Sequence, residues 1–196
     1  MIAKSIKRAV FLDRDGVISP DEFGYISNPD EYSLYPYTGQ ALRILQELGF
    51  LLFVVSNQSG IARGYFSVEA LDSVFVRMRD LIAAEGVSLS GIFYSPYHIE
   101  GSVPPYNIDH EDRKPGIGMY KKARELYNFD TGKSWMIGDR NTDILFGRNA
   151  GLKTMLLLSG NGQKVFLEEG CTNNLKADFI CENLLTAANL IAKFGL

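Results

Sequence analysis

The chain has 196 residues, 46% of them hydrophobic, which is enough for one well-buried core and too few for two ordinary domains. A net charge of −3 with scattered basic residues excludes the electrostatic footprint of a nucleic-acid binder. The longest apolar run, Phe50 to Val55, falls far short of the roughly 20 residues that span a membrane. Lys4, Lys7 and Arg8 lead into only a short apolar stretch, unlike a secretory leader, so the expectation is a cytoplasmic protein folded as a single unit over 1–196. Its two cysteines, Cys171 and Cys181, lack metal-ligand spacing and read as free thiols.

In chain order, short apolar runs predict strands at 9–12, 51–55, 91–94, 134–137, 154–158 and 179–180. Segments of helical period predict helices at 39–48, 67–85, 116–127, 142–150 and 184–194. Ser67 suits the N-cap of the second helix, with Glu69 near the positive end of its dipole. This alternation is the pattern of an α/β parallel sheet covered by helices on both faces. No repeat, low-complexity tract or linker interrupts it. In such a sheet ligands bind beyond the carboxyl ends of the strands, so the residues following each strand carry the functional weight.

The first strand runs into Asp13-Arg14-Asp15-Gly16. In an extended backbone residues two apart share a side, so Asp13 and Asp15 face one pocket while Arg14 points away. Paired carboxylates there suit a phosphate-handling nucleophile and its partner acid, although Asp-x-Asp-Gly alone is also an ordinary polar turn. The second strand ends in Ser56-Asn57-Gln58-Ser59-Gly60, where Ser56 can donate to a phosphoryl oxygen or simply serve a turn. Asp112-Arg113-Lys114-Pro115-Gly116 brings two cations before a helix whose first turn tolerates Pro115; these are phosphate contacts or solvated loop charges. The fourth strand ends in Gly138-Asp139-Arg140-Asn141-Thr142-Asp143. Asp139 suits a hard divalent cation, and Asp143 either orients that shell or caps the next helix. The four strand ends together supply the parts of a phosphoryl-transfer site, which is a far more demanding coincidence than any one of them.

As an ordered set, the motifs at Asp13 to Gly16, Ser56, Lys114 and Gly138 to Asp143 resemble the haloacid dehalogenase superfamily of aspartate-nucleophile phosphatases. Phe11 to Ile18, Gly24-Tyr25-Ile26, Ser56 to Phe66 and Arg113 to Gly116 are most similar to the D-glycero-D-manno-heptose 1,7-bisphosphate phosphatases and the related histidinol-phosphate phosphatases. The resemblance implies a Rossmann-like parallel sheet flanked by helices, without a large cap domain. It implies Mg2+ held by the carboxylates of Asp13 and Asp139 and the backbone carbonyl of Asp15, with Asp143 behind them. It implies Asp13 as nucleophile, Asp15 as acid and base, and Ser56 and Lys114 in the catalytic set. Asn57, Arg63, Arg113 and Arg140 are then candidate contacts to a small phosphorylated metabolite, with the 7-phosphate of the heptose bisphosphate favoured over histidinol phosphate.

One departure stands out. Relatives commonly carry a zinc clip of three Cys and one His before the Arg-Lys-Pro segment, and the matching positions here are Ser95, Tyr97, His110 and Asp112. Those residues cannot make a thiolate-closed zinc site, so zinc is expected to be absent. The loop is expected to keep its shape through Tyr97, Tyr106 and Pro104-Pro105 instead.

Overall fold

A computed structural model describes residues 6–21, 24–169 and 176–195, so Cys171 lies outside the described residues. The strands are β1 (Arg8–Leu12), β2 (Phe50–Asn57), β3 (Gly91–Ser95), β4 (Trp135–Gly138), β5 (Lys153–Leu157) and β6 (Phe179–Cys181). The helices are α1 (Thr38–Glu47), α2 (Val68–Ala84), α3 (Gly118–Leu126), α4 (Asn141–Ala150), α5 (Gly162–Glu169) and α6 (Leu184–Phe194). Every strand pairing is parallel and the spatial order is β3-β2-β1-β4-β5-β6. The chain steps outward from β1 to β3, then returns to start β4 on the other side of β1. That reversal opens the crevice between β1 and β4 in which this class of sheet binds its ligands.

Alternation along the strands sorts the core into two layers. Val10 and Leu12 of β1, with Leu52 and Val54 of β2, pack beneath α1, α2 and α6. Ala9 and Phe11, with Leu51, Phe53 and Val55, pack beneath α3 and α4. Helix α2 shows why the pattern was readable: Leu71, Val74, Phe75, Met78 and Ile82 bury one stripe, and Ser67 Oγ accepts the Ala70 N–H at 3.3 Å.

Two elements differ from expectation. Helix α3 begins at Gly118 rather than 116, because Gly116 N donates to Arg113 O at 2.7 Å and Gly118 N to Glu111 O at 2.8 Å. Pro115 therefore belongs to the turn before the helix. Helix α5 was not anticipated; it is short and begins within the Ser159-Gly160-Asn161-Gly162 run, which reads as a turn. Between β1 and α1 the described residues hold only a 3₁₀ turn, Pro29–Glu31, and between β2 and α2 no regular element, so no large cap covers the sheet's carboxyl edge. No described helix is long and apolar enough to cross a membrane.

Phe11 is fully buried, with ring centroids of Phe53 at 5.1 Å, Tyr120 and Phe129 at 5.7 Å and Phe146 at 6.3 Å. Replacing it by Ala should cost about 3–5 kcal/mol, read as a lower midpoint in denaturant unfolding with an unchanged slope.

Candidate active site

The β1–β4 ladder sets the geometry. Asp13 N donates to Ile137 O at 3.1 Å, carrying the pairing one residue beyond β1, so Asp13 emerges beside Asp139. Asp143 in the first turn of α4 completes a buried group whose carboxylate oxygens lie within 4.8 Å of one another. Lys114 Nζ enters this group, 3.0 Å from Asp13 Oδ1 and 2.6 Å from Asp143 Oδ1, and also donates to Val55 O at 2.8 Å. Burial alone would lower the Lys114 pKa, but the Asp13 and Asp143 carboxylates outweigh it and raise it, so the ammonium stays charged. Of the two roles left open for Asp143, the one at the helix start is present: its Oδ2 accepts the Arg140 N–H at 3.0 Å, while its Oδ1 pairs with Lys114.

Three carboxylates with one ammonium leave an excess of buried negative charge. Burial first, then the neighbouring carboxylates, push Asp13 well above the ordinary carboxylate range despite Lys114, and raise Asp139 to about 7. Asp139 Oδ1 is buried without a protein partner. A cluster of oxygens crowded to the point of holding protons, with one left unpartnered, fits a hard divalent cation.

The other Asp139 oxygen is held by the β5–α5 turn: Asn161 N donates to Oδ2 at 2.7 Å. This turn lies against β1's exit. Gly160, at φ +55, approaches so closely that a Cβ there would stand 2.4 Å from Asp139 Oδ2 and 2.5 Å from the Gly16 Cα. Ser159 Oγ donates to Gly16 O at 2.7 Å and ties the two turns together.

Asp13 and Asp15 both line the crevice, as period two predicted, but Arg14 does not point away. The strand ends at Leu12 and the chain bends, with Ile18 N donating to Arg14 O at 2.9 Å, so strict alternation no longer applies. The buried guanidinium folds back, and its Nε donates to Asp15 Oδ1 at 2.9 Å. Gln58 Nε2 donates to Asp15 Oδ2 at 3.0 Å and to the buried Ser56 Oγ at 2.8 Å.

The crevice has a volume of about 630 Å³. Among its described cations, Arg14 pairs with Asp15, Lys114 with Asp13 and Asp143, Arg140 with Asp21 at 2.8 Å, and Lys164 with Glu168 at 3.9 Å. Arg113 alone among them has no described carboxylate partner; its Nη1 donates to Tyr97 O at 3.3 Å. Burial, then the like charges of Arg63 and Arg140, lower its pKa, the setting of a cation short of an anion. Two expected contacts stand differently. Arg63 is not part of the crevice wall, and its Nη2 lies 3.1 Å from His98 Nε2 and 3.5 Å from Glu100 Oε2. Asn57 lines the crevice but engages both ends of its amide with the Lys114 backbone, at 2.9 and 3.1 Å, and so fixes the lysine's loop. Gln58, Asp21 and Asn161 are site residues that the sequence reading missed. The post-strand rule reaches Gln58 and Asn161; nothing in the local pattern marks Asp21.

The loop after β3 places the four zinc-clip positions together. The Tyr97 ring stacks on His110 at 3.9 Å, His110 Nδ1 lies 3.5 Å from Asp112 Oδ2, and that oxygen takes Lys122 Nζ at 2.6 Å. Tyr97 N lies 3.4 Å from Ser95 Oγ, and the Tyr97 and Tyr106 rings meet at 5.9 Å.

A parallel sheet ordered in this way, with an aspartate pair after β1, a buried lysine and carboxylates after β4, defines a haloacid dehalogenase-like hydrolase. The HAD-hydrolase-like family matches residues 112–187. The chain is 39% identical over 180 residues to the D-glycero-beta-D-manno-heptose-1,7-bisphosphate 7-phosphatase of Haemophilus ducreyi, covering 91% of this chain and 95% of that protein. It is 37% identical to the same enzyme of Pasteurella multocida over 186 residues, 95% and 97% of the two chains. The crystal structure of a D,D-heptose 1,7-bisphosphate phosphatase from B. bronchiseptica, complexed with magnesium and phosphate, superposes with a TM-score of 0.82 at 29% identity, covering 95% of this chain and 98% of that one. The chain belongs to this family of haloacid dehalogenase-like phosphatases, and it is a phosphoric monoester hydrolase.

The raised carboxylates make metal-free stability depend on pH. A group whose folded pKa exceeds its unfolded value binds protons more tightly when folded, so its stabilisation is present at low pH and lost as pH rises through the folded pKa. For Asp139 that window runs from the ordinary 3.8 to about 7, and Asp13 shifts in the same direction. Metal-free protein should therefore show a falling contribution to its Tm from about pH 4 to about pH 7, and saturating Mg2+ should remove most of that fall, as read by calorimetry.

Proposed function

We propose that this enzyme is a Mg2+-dependent phosphatase that removes the 7-phosphate of D-glycero-D-manno-heptose 1,7-bisphosphate. The observation that carries the substrate choice is Arg113, the crevice cation without a described carboxylate, beside a cluster equipped for one transferring phosphoryl group. A second phosphate supplies the anion that Arg113 lacks, with Arg140 beyond it. An amine-bearing ester such as histidinol phosphate would need a free carboxylate at the rim. Of the carboxylates the sequence offers for it, Glu22 lies outside the described residues, Asp109 and Glu111 stand outside the crevice wall, and Glu111 pairs with Lys121 at 2.5 Å.

Asp13, Asp139 and the backbone carbonyl of Asp15 would hold the cation, which offsets the negative charge of the phosphoryl group in the crevice. In the first step Asp13 attacks phosphorus, the ester P–O bond breaks with its electron pair going to the leaving oxygen, and Asp15 gives that oxygen a proton. In the second step water attacks the same phosphorus, Asp15 takes the water's proton, and the Asp13–phosphorus bond breaks to return the carboxylate and inorganic phosphate. Lys114 stabilises the equatorial charge and keeps Asp13 oriented, while Ser56 donates to a phosphoryl oxygen.

Asp13→Asn should lower turnover by a factor on the order of 10⁴ or more while circular dichroism and melting show an intact fold. Asp15→Asn, mixed with an aryl ester whose leaving group needs no proton, should accumulate phosphoenzyme that acid quenching traps. Arg113→Ala should cut kcat/KM for the heptose bisphosphate about 10- to 100-fold and for a monophosphate far less. Equal penalties, or a preference for histidinol phosphate, would move the assignment to that branch. The loop after β3 is closed in this reading without zinc, so elemental analysis of purified protein should find zinc only in trace.

A further inference from the structure

We propose that Gln58 is a positioning residue that sets the phosphate-binding hydroxyl of Ser56 and the carboxylate of Asp15 at once, with Arg14 fixing the direction in which its amide faces. The inference rests on the reading of Asp15 as acid and base.

The chemistry of the donors leaves one arrangement. An arginine side chain offers N–H groups and no acceptor. Arg14 Nη2 lies 3.3 Å from Gln58 Oε1, so the carbonyl end of the amide is held on the guanidinium. Its NH2 end must then face Ser56 and Asp15, and both distances agree, 2.8 and 3.0 Å. One amide hydrogen reaches each acceptor. Ser56 Oγ, having accepted from Gln58, keeps its own hydrogen free to donate into the crevice, where the phosphoryl oxygens would lie. A hydroxyl with no such neighbour would rotate and could as readily present a lone pair to an anion.

Asp15 is held at both oxygens, by Arg14 Nε at 2.9 Å and by Gln58 Nε2. Arg14, Asp15 and Gln58 therefore close a ring of hydrogen bonds around one carboxylate. The ring is anchored in the core: the Arg14 guanidinium lies 5.6 Å from the Phe75 ring centroid and 5.9 Å from that of Tyr32, and all three side chains are buried. The donor on phosphate and the proton carrier for the leaving oxygen are thus set at a fixed separation by one side chain that holds them both. Precision of this kind acts on the rate of the chemical steps more than on substrate affinity.

Two substitutions separate this role from packing. Gln58→Leu removes the donors and the carbonyl. Gln58→Glu keeps the volume and strengthens the contact with Arg14, but removes the donors toward Ser56 and Asp15. A packing role predicts that Gln58→Glu is the milder change, whereas the positioning role predicts that it is at least as severe. Both should lower kcat by about 30-fold or more, with KM within about threefold of wild type. Mg2+ affinity by titration calorimetry should stay near wild type, because Gln58 bonds the Asp15 side chain and not the backbone carbonyl that would face the cation. In the Ser56→Ala background, the further loss from Gln58→Leu should shrink by at least about fivefold, since one interaction has already been removed. Near-wild-type kcat in Gln58→Glu, or losses that multiply independently with Ser56→Ala, would overturn the proposal. If Gln58→Leu does not fold, the Gln58→Glu result and its combination with Ser56→Ala decide the matter alone. Failure of the wild-type enzyme to hydrolyse phosphate esters, or an Asp15→Asn variant with undiminished turnover, would instead strike the underlying reading of the site.

Discussion

The structure is organised around the concentration of buried charge at the sheet's carboxyl edge. Asp13, Asp139 and Asp143 meet a single ammonium, Lys114, and burial together with the uncompensated charge raises the pKa of Asp13 and Asp139. Such a cluster is destabilising by itself, because desolvating a carboxylate costs several kcal/mol unless it is paired. It persists because the surroundings overdetermine it. The β1–β4 ladder continues through Asp13, the Arg140 N–H holds Asp143, Asn57 clamps the lysine's backbone, and the Ser159–Asn161 turn presses on Asp139. A divalent cation would relieve the repulsion, so the arrangement that weakens the fold by itself is the one that would give the site its affinity for the ion.

Around that cluster, charge is distributed unevenly in a way that separates chemistry from recognition. Cations close to the reacting aspartates are already paired, which fixes them as orienting groups. Arg140 is partly compensated by Asp21, and Arg113 has no described carboxylate partner. Counting arginines in the sequence would credit Arg63, Arg113 and Arg140 equally. Only the pairing of each shows that their electrostatic worth differs.

The legible part of the sequence was the part governed by short-range periodicity. Strands buried on both faces read as apolar runs, α2 displayed its stripe and cap, and the rule that function follows strands led to Asp13, Ser56, Lys114 and Asp139. What stayed hidden depends on contacts between segments far apart in the chain. Asp21 acquires a role only when Arg140, 119 positions later, reaches it. Arg14 was misread because alternation was extended one turn past the strand's end. Helix α5 was missed because turn-forming residues flank its start, and the hold of Asn57 on the Lys114 backbone was hidden because its partner lies 57 residues downstream.

The parallel register between β1 and β4 restricts where this architecture can change length. Leu12 pairs with Ile137, and Asp13 and Asp139 leave the sheet one and two residues further on. Inserting a single residue into either strand would carry its terminal carboxylate about 3.3 Å along and turn it to the opposite face. The connections at the opposite edge, such as 85–90 between α2 and β3 or 127–134 between α3 and β4, are tied to the strands by bonds such as Ser90 N to Leu52 O at 2.7 Å and Asp130 N to Lys7 O at 2.8 Å, but they bring no side chain to the crevice. Lineages descended from this fold should therefore accumulate insertions and deletions on the amino edge of the sheet, while the strand lengths feeding the carboxyl edge stay constant even where side chains drift.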